Sequence, residues 1–158
     1  MNTGKHLILI AIIVLVPSLR GQGGPLVQGP HTKADVQEIR EIFRSLQDAV
    51  KARDLDKIIG LLAPEVTSSS YSCRCDPSPS THQEAVQDII GVDDYFKEDG
   101  AGCITKGVLT RLQFSEDGEA QLTISPLGEN YPLGCVTLGF TKPASGKWRI
   151  HDLFFGAT

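Results

Sequence analysis

The sequence predicts an α+β domain in which N-terminal helices pack on a curved, mostly antiparallel sheet. Three observations lead there. Apolar residues recur at steps of three and four in the first half of the chain and at steps of two in the last third. Two glycine-closed turns then join the alternating segments into hairpins. A sheet with one apolar face needs cover, and the apolar stripes of the helices are the cover at hand. The twist of such a sheet makes its covered face concave around a cavity.

Residues 1–21 read as a cleavable signal peptide. Lys5 and His6 precede an unbroken apolar run over 7–16, which Pro17 and Ser18 close. Spanning a bilayer takes about 20 apolar residues, so this run is too short for an anchor and suits the core of a leader. Gly21 is the small residue before the cut, leaving Gln22 as the new terminus of a soluble, secreted chain without a membrane partner. Residues 22–31 are rich in Gly and Pro, show no periodicity and read as a flexible lead-in. The domain proper is 32–158.

Thr32 offers an N-cap with Asp35 in the first turn. Val36, Ile39, Phe43, Leu46 and Val50 then follow at helical spacing, widened by Ile42 and Ala49, for a helix of about five turns. Asp54 caps a second, shorter helix carrying Leu55, Ile58, Ile59, Leu61 and Leu62, which stops at Pro64. Residues 66–72 are rich in Thr, Ser and Tyr and read as a strand that pairs into the sheet, because an uncovered edge beside the last strand would invite aggregation. Two prolines make 75–80 a loop. Thr81 and Glu84 form a capping box for a third helix with Ala85, Val86, Ile89 and Ile90, broken at Gly91. Asp93 and Asp94 read as a solvated pair, without the ligand count for calcium.

From residue 108 the period is two. Val108, Thr110, Leu112 and Phe114 alternate, as do Ala120, Leu122 and Ile124, then Val136, Leu138 and Phe140, then Trp148, Ile150, Asp152 and Phe154. Glu116-Asp117-Gly118 and Ala144-Ser145-Gly146 fit three-residue hairpin loops ending in a left-handed glycine. These loops set Phe114 opposite Ala120 and Leu112 opposite Leu122. They also set Phe140 opposite Ile150, Leu138 opposite Asp152 and Val136 opposite Phe154, so one shared face is apolar.

Charge and cysteine usage narrow the partners. Without Lys5 and Arg20 the mature chain keeps 13 basic residues against 19 acidic ones. That balance leaves no footprint for a phosphate backbone and argues against a nucleic-acid partner. Cys73, Cys75, Cys103 and Cys135, an even number in an oxidising compartment, favour two disulfides. A bridge between Cys73 and Cys75, separated by Arg74 alone, would be strained, so each is expected to pair with Cys103 or Cys135 in an order left open. A metal site of Cys73, Cys75, Asp76 and His82 does not match zinc spacing. No Gly-rich phosphate loop, nucleophile elbow or His-Glu-x-x-His helix occurs, so no cofactor is expected.

The run Ala52-Arg53-Asp54-Leu55-Asp56-Lys57-Ile58-Ile59-Gly60-Leu61-Leu62-Ala63-Pro64-Glu65 resembles the second-helix region of nuclear transport factor 2-like domains of the SnoaL-like kind. The ending Gly146-Lys147-Trp148-Arg149-Ile150-His151-Asp152 resembles their last strand. Between these anchors the similarity, over 32–155, is one of element order. The resemblance implies a cone-shaped, cystatin-like roll around a pocket closed by helices. Ketosteroid isomerases, polyketide cyclases, dehydratases and proteins that only bind or dimerise share it, so the fold does not choose the function.

Asp152 is the candidate catalytic residue. On a face with Trp148, Ile150 and Phe154 its carboxylate loses hydration, which suits a general base acting on an acidic C–H. Many relatives place a His there, so no family residue transfers directly. Thr110 and Trp148 share that face and, with Tyr71, Tyr95 and Tyr131 near element ends, are candidate ligand-binding residues; a phenol there can donate to an oxyanion. His151, with Lys147 and Arg149, points outward. Three functions compete: a secreted pocket protein holding a small apolar ligand, ranked first; a cofactor-free isomerase, cyclase or dehydratase; and a homodimerising interaction module that uses the outer sheet face. An enzyme needs converging polar groups, and the sequence offers one good candidate.

Overall fold

The computed structural model describes residues 26–69, 78–97, 102–125, 136–143 and 146–156. Its elements in chain order are β1 (Leu26–Gln28), α1 (Lys33–Ala52), α2 (Leu55–Ile59), β2 (Leu62–Ser69), β3 (Ser78–Ser80), α3 (His82–Lys97), β4 (Val108–Phe114), β5 (Glu119–Ser125), β6 (Val136–Thr141) and β7 (Arg149–Phe155). The strands form one curved sheet in the order β1-β4-β5-β6-β7-β2-β3. Neighbours are antiparallel except β1 with β4 and β2 with β7, which run parallel. The α+β class expected from the two periodicities is the one observed.

α1 begins where the sequence says it should. The Thr32 hydroxyl accepts from the Asp35 N–H at 3.2 Å, and the Asp35 carboxylate accepts from the Thr32 N–H at 3.0 Å, closing a capping box. Ile39, Phe43, Leu46, Ala49 and Val50 form its buried stripe. Arg53 ends it in the left-handed region at φ 56, and its guanidinium reaches Asp94 on α3 at 2.7 Å. α2 is shorter than predicted because Leu62 leaves the helix and enters β2. β2 includes Pro64, where the sequence pattern predicts the end of a helix. Between Leu62, opposite Ile150, and Thr67, opposite Asp152, β2 bulges away from β7, and β3 pairs only from Val66 onward. No ladder bond is therefore asked of the missing Pro64 N–H. As expected, the segment from Val66 joins the sheet and covers the edge of β7.

α3 starts at the predicted Thr81–Glu84 capping box, with the Thr81 N–H donating to Glu84 at 2.8 Å. That bond and the Thr81 hydroxyl hold the Glu84 carboxyl below its usual pKa. Gly91 does not break the helix, which runs on to Lys97. A single glycine costs about 1 kcal/mol in a helix, and the burial of Ile89 and Ile90 before it and the hydrogen bonds of Asp93 after it offset this. Asp93, read from sequence as solvated, is fully buried. Its carboxylate accepts the Ile104 and Thr105 N–H groups at 2.9 and 2.8 Å and the Thr105 hydroxyl at 3.1 Å. Gln47 of α1 grips the same turn from the other side, donating to the Ile104 and Gly107 carbonyls at 2.9 and 3.0 Å.

From Leu26 on, the lead-in is also more ordered than its composition suggests. Leu26–Gln28 pair with Arg111–Gln113 as β1, and Gly29 turns the chain at φ 85 against the Phe114 carbonyl, where a side chain would collide. His31 then stacks on the Phe114 ring with centroids 5.0 Å apart. The core lies between the helices and one sheet face. It joins Phe43, Leu46, Ile58, Val86 and Ile89 to Leu112, Leu122, Ile124, Leu138, Phe140, Ile150 and Leu153 in one cluster.

Candidate functional site

The helices cover one face of the sheet, and the other face carries the polar groups. Pairing lines up two rows across β4, β5, β6 and β7: Arg111–Thr123–Thr137–Phe154 and Gln113–Gln121–Gly139–Asp152. A shallow groove of about 290 Å³ lies over these rows. Phe154 is 38% exposed within it.

Asp152 reaches this face through a bulge. Both predicted hairpin registers hold beside their turns: Phe114 faces Ala120, Leu112 faces Leu122 and Phe140 faces Ile150. Gly118 and Gly146 have φ 80 and 83, as those loops require. Beyond Ile150, however, β7 inserts an extra residue, His151, so Gly139 faces Asp152, Leu138 faces Leu153 and Val136 faces Phe155. A bulge turns two neighbouring side chains to one side and inverts the alternation after it. Leu153 and Phe155 are thus buried, whereas Asp152 and Phe154 lie on the outer face. Placing Asp152 on the covered face is corrected accordingly. Its carboxylate instead accepts the Thr67 hydroxyl of β2 at 2.7 Å. His151 lies outward, as expected. It walls a depression of about 450 Å³ opposite the β2 bulge at Ala63, Pro64 and Glu65.

The other candidate residues do not converge. Thr110 occupies a second bulge, between Leu109 and Arg111, and its hydroxyl donates to the Thr123 carbonyl at 3.2 Å. Trp148 is buried with its indole N–H committed to Asp35 at 2.9 Å, while its ring packs edge-on against Phe114 at 5.9 Å and beneath Lys142 at 5.6 Å. The Lys142 ammonium, then the Thr32 hydroxyl and the Trp148 indole, hold the Asp35 carboxyl well below the usual carboxylate range. Tyr95 is 74% exposed at the end of α3 and lines no shared site with Asp152. Tyr71 and Tyr131 lie outside the described residues, as do residues 1–21 and Cys73, Cys75 and Cys135. Cys103 is fully buried, and no free thiol occurs among the described residues.

The core presents no unsatisfied polar side-chain atom among the described residues. Its buried polar residues Ser68 and Asp93 are tied to Asp88 and to the 102–107 turn. No group of His, Cys, Asp and Glu able to hold a metal occurs among the described residues. The residues that sequence reasoning passed over are Thr67, Arg111, Gln113, Gln121, Thr123 and Thr137, while Phe154, expected on the apolar face opposite Val136, instead lies outward opposite Thr137. All of those passed over but Thr67 were legible as the polar half of the alternation in β4, β5 and β6.

Helices laid across one face of a curved sheet in this way have counterparts of known structure. An NTF2-like protein of unknown function from Shewanella baltica superposes with a TM-score of 0.51 at 11% identity, over 82% of this chain and 98% of that one. The fold is nuclear transport factor 2-like. A protein of unknown function with a cystatin-like fold from Nostoc punctiforme gives 0.50 at 17% identity over 82% and 96% of the two chains. A conserved protein from Planctomyces limnophilus gives 0.50 at 12% identity over 80% and 98%. No family model matches the sequence, and no curated protein does. At such identities the nuclear transport factor 2-like likeness fixes architecture alone, and function has to be argued from the site.

Proposed function

We propose that the mature chain is a secreted interaction module of nuclear transport factor 2-like fold that pairs with a second copy of itself through the outer face of its sheet. The observation that carries this reading is the composition of the row Arg111–Thr123–Thr137–Phe154. A two-fold axis parallel to the strands, between β5 and β6, lays Arg111 over Phe154 of the second copy and Thr123 over Thr137. In the adjacent row it lays Gln113 near Asp152 and Gln121 over Gly139. An isologous interface needs such self-complementarity. A guanidinium over an aromatic ring contributes about 0.5–2 kcal/mol, depending on how far it is desolvated.

The competing readings find less support. A general base inside the cone needs a carboxylate there, and Asp152 lies on the outer face, bonded to Thr67. A small apolar ligand needs space between helices and sheet, where Phe43, Leu46, Leu122, Leu138 and Phe140 pack as one cluster. Secretion rests on the leader-like 1–21 segment, and paired cysteines on the buried Cys103 with no free thiol among the described residues. Sedimentation equilibrium of the secreted protein tests the main reading. A dimer is expected for the natural sequence and a monomer for Phe154→Asp and for Arg111→Glu, each with an unchanged circular dichroism spectrum. A natural sequence that stays monomeric to its solubility limit refutes the proposal.

A further inference from the structure

A second surface lies on the helical side, remote from the sheet's outer face. α2 and α3 run side by side, and a groove of about 500 Å³ opens between them. Its floor is apolar: Leu55 is 43% exposed there, beside Ile59 and Val86. Its rim is anionic, carrying Asp56, Glu84 and Asp88, and no Lys or Arg lines it among the described residues. Two of these carboxylates are held in place. Glu84 accepts from the Thr81 N–H and hydroxyl at 2.8 and 2.9 Å, and Asp88 accepts the Ser68 hydroxyl at 2.6 Å. Fixed anions around exposed apolar surface recognise a ligand that presents an apolar side chain flanked by cations, and they lose little entropy on binding it.

We propose that this groove docks a short basic amphipathic segment of a partner protein. Its apolar anchor sits on Leu55 and Ile59, and its Lys or Arg side chains sit on Asp56, Glu84 and Asp88. Two ridges of helix with an apolar trough between them are the usual seat for such a segment. The charge of the rim selects a cationic occupant: Asp56, Glu84 and Asp88 are offset by no Lys or Arg among its described lining residues, so a basic segment is attracted and an acidic one repelled.

A fluorescein-labelled amphipathic peptide of Leu and Lys tests this by anisotropy, with the same peptide carrying Glu in place of Lys as its counterpart. Saturable binding of the Lys peptide is expected, weakening as salt rises. Leu55→Gln and the pair Asp56→Lys with Gln87→Lys should each weaken it by about tenfold, or 1.4 kcal/mol. All three positions are exposed, and urea unfolding confirms that each variant remains folded. Equal binding of the Glu peptide, or affinity unchanged in both variants, overturns the proposal. Neither outcome bears on the sheet-face dimer, which Phe154→Asp removes while leaving the groove intact.

Discussion

Removing the Asp35 carboxylate should loosen the junction between the start of α1 and the β6–β7 hairpin more than any other single change on the helix surface. Asp35 accepts from the Thr32 N–H and hydroxyl at 3.0 and 2.6 Å, from the Trp148 indole at 2.9 Å and from Lys142 at 2.8 Å. Its side chain is only 13% exposed. Loss of the Asp35 half of the capping box, with the Thr32 hydroxyl still accepting from the residue 35 N–H, costs up to about 1 kcal/mol. Stranding a buried indole N–H that had bonded to a charged acceptor costs about 1.5–3 kcal/mol. The Lys142 pair, open to water on the lysine side, adds little. Asp35→Ala should therefore cost about 2–4 kcal/mol at neutral pH, lowering the melting temperature by roughly 10 °C. Trp148 is the single tryptophan, so urea unfolding followed by its fluorescence reports on the junction itself.

The pH dependence carries a definite sign. The folded-state pKa of Asp35 lies below its unfolded value of about 3.9, so the stabilisation is complete above that value and is lost as pH falls toward the folded one. The gap between the natural protein and Asp35→Ala should stay constant from pH 8 to pH 5 and begin closing below about pH 4. A gap below about 1 kcal/mol at pH 7, or one that widens on acidification, would refute the reasoning.

Two further outcomes follow from the same contacts. Asp93→Ala strands the Ile104 and Thr105 N–H groups in the buried turn and should cost about 2–4 kcal/mol in urea unfolding, with Asp93→Asn recovering part of it; equal stability of Ala and Asn variants would contradict the carboxylate's role as acceptor. Gly139→Ala places a Cβ 2.7 Å from the Asp152 Cβ and 3.2 Å from the His151 Nε2, and should cost about 1–3 kcal/mol in thermal unfolding; a neutral substitution would mean that the bulge does not crowd that position.

Helix starts were legible because capping is local chemistry: Thr32 with Asp35 and Thr81 with Glu84 need only three residues of context. Helix ends were not. Gly91 looks like a stop, but the groups that carry α3 past it are Asp93 and the turn at 102–107, which the chain brings together only in three dimensions. β1 escaped notice for the same reason. Three residues have too little periodicity to declare a strand, and Leu26–Gln28 form one because the edge of β4 is there to pair with.

The misplacement of Asp152 has one physical cause, and it operates twice. A tight turn dictates register only as far as pairing stays regular, and each hairpin bulges within a few residues of its turn. In β4 the irregularity at Thr110 brings Leu109 against the core and leaves Val108 47% exposed; in β7 the one at His151 turns Asp152 out and Leu153 in. Alternation alone cannot announce this, since Asp152–Leu153 reads equally well in either parity until the inserted residue is counted. The clue was on the partner strand. Gly139 interrupts the polar half-pattern of β6 between Thr137 and Thr141, and a glycine inside a strand marks a place where another backbone or side chain approaches closely. Here that approach is made by His151 and Asp152 together, two side chains opposite one residue without any. The bulge that removes the acidic candidate from the core therefore also turns Phe154 onto the outer face opposite Thr137, completing the row on which self-pairing depends.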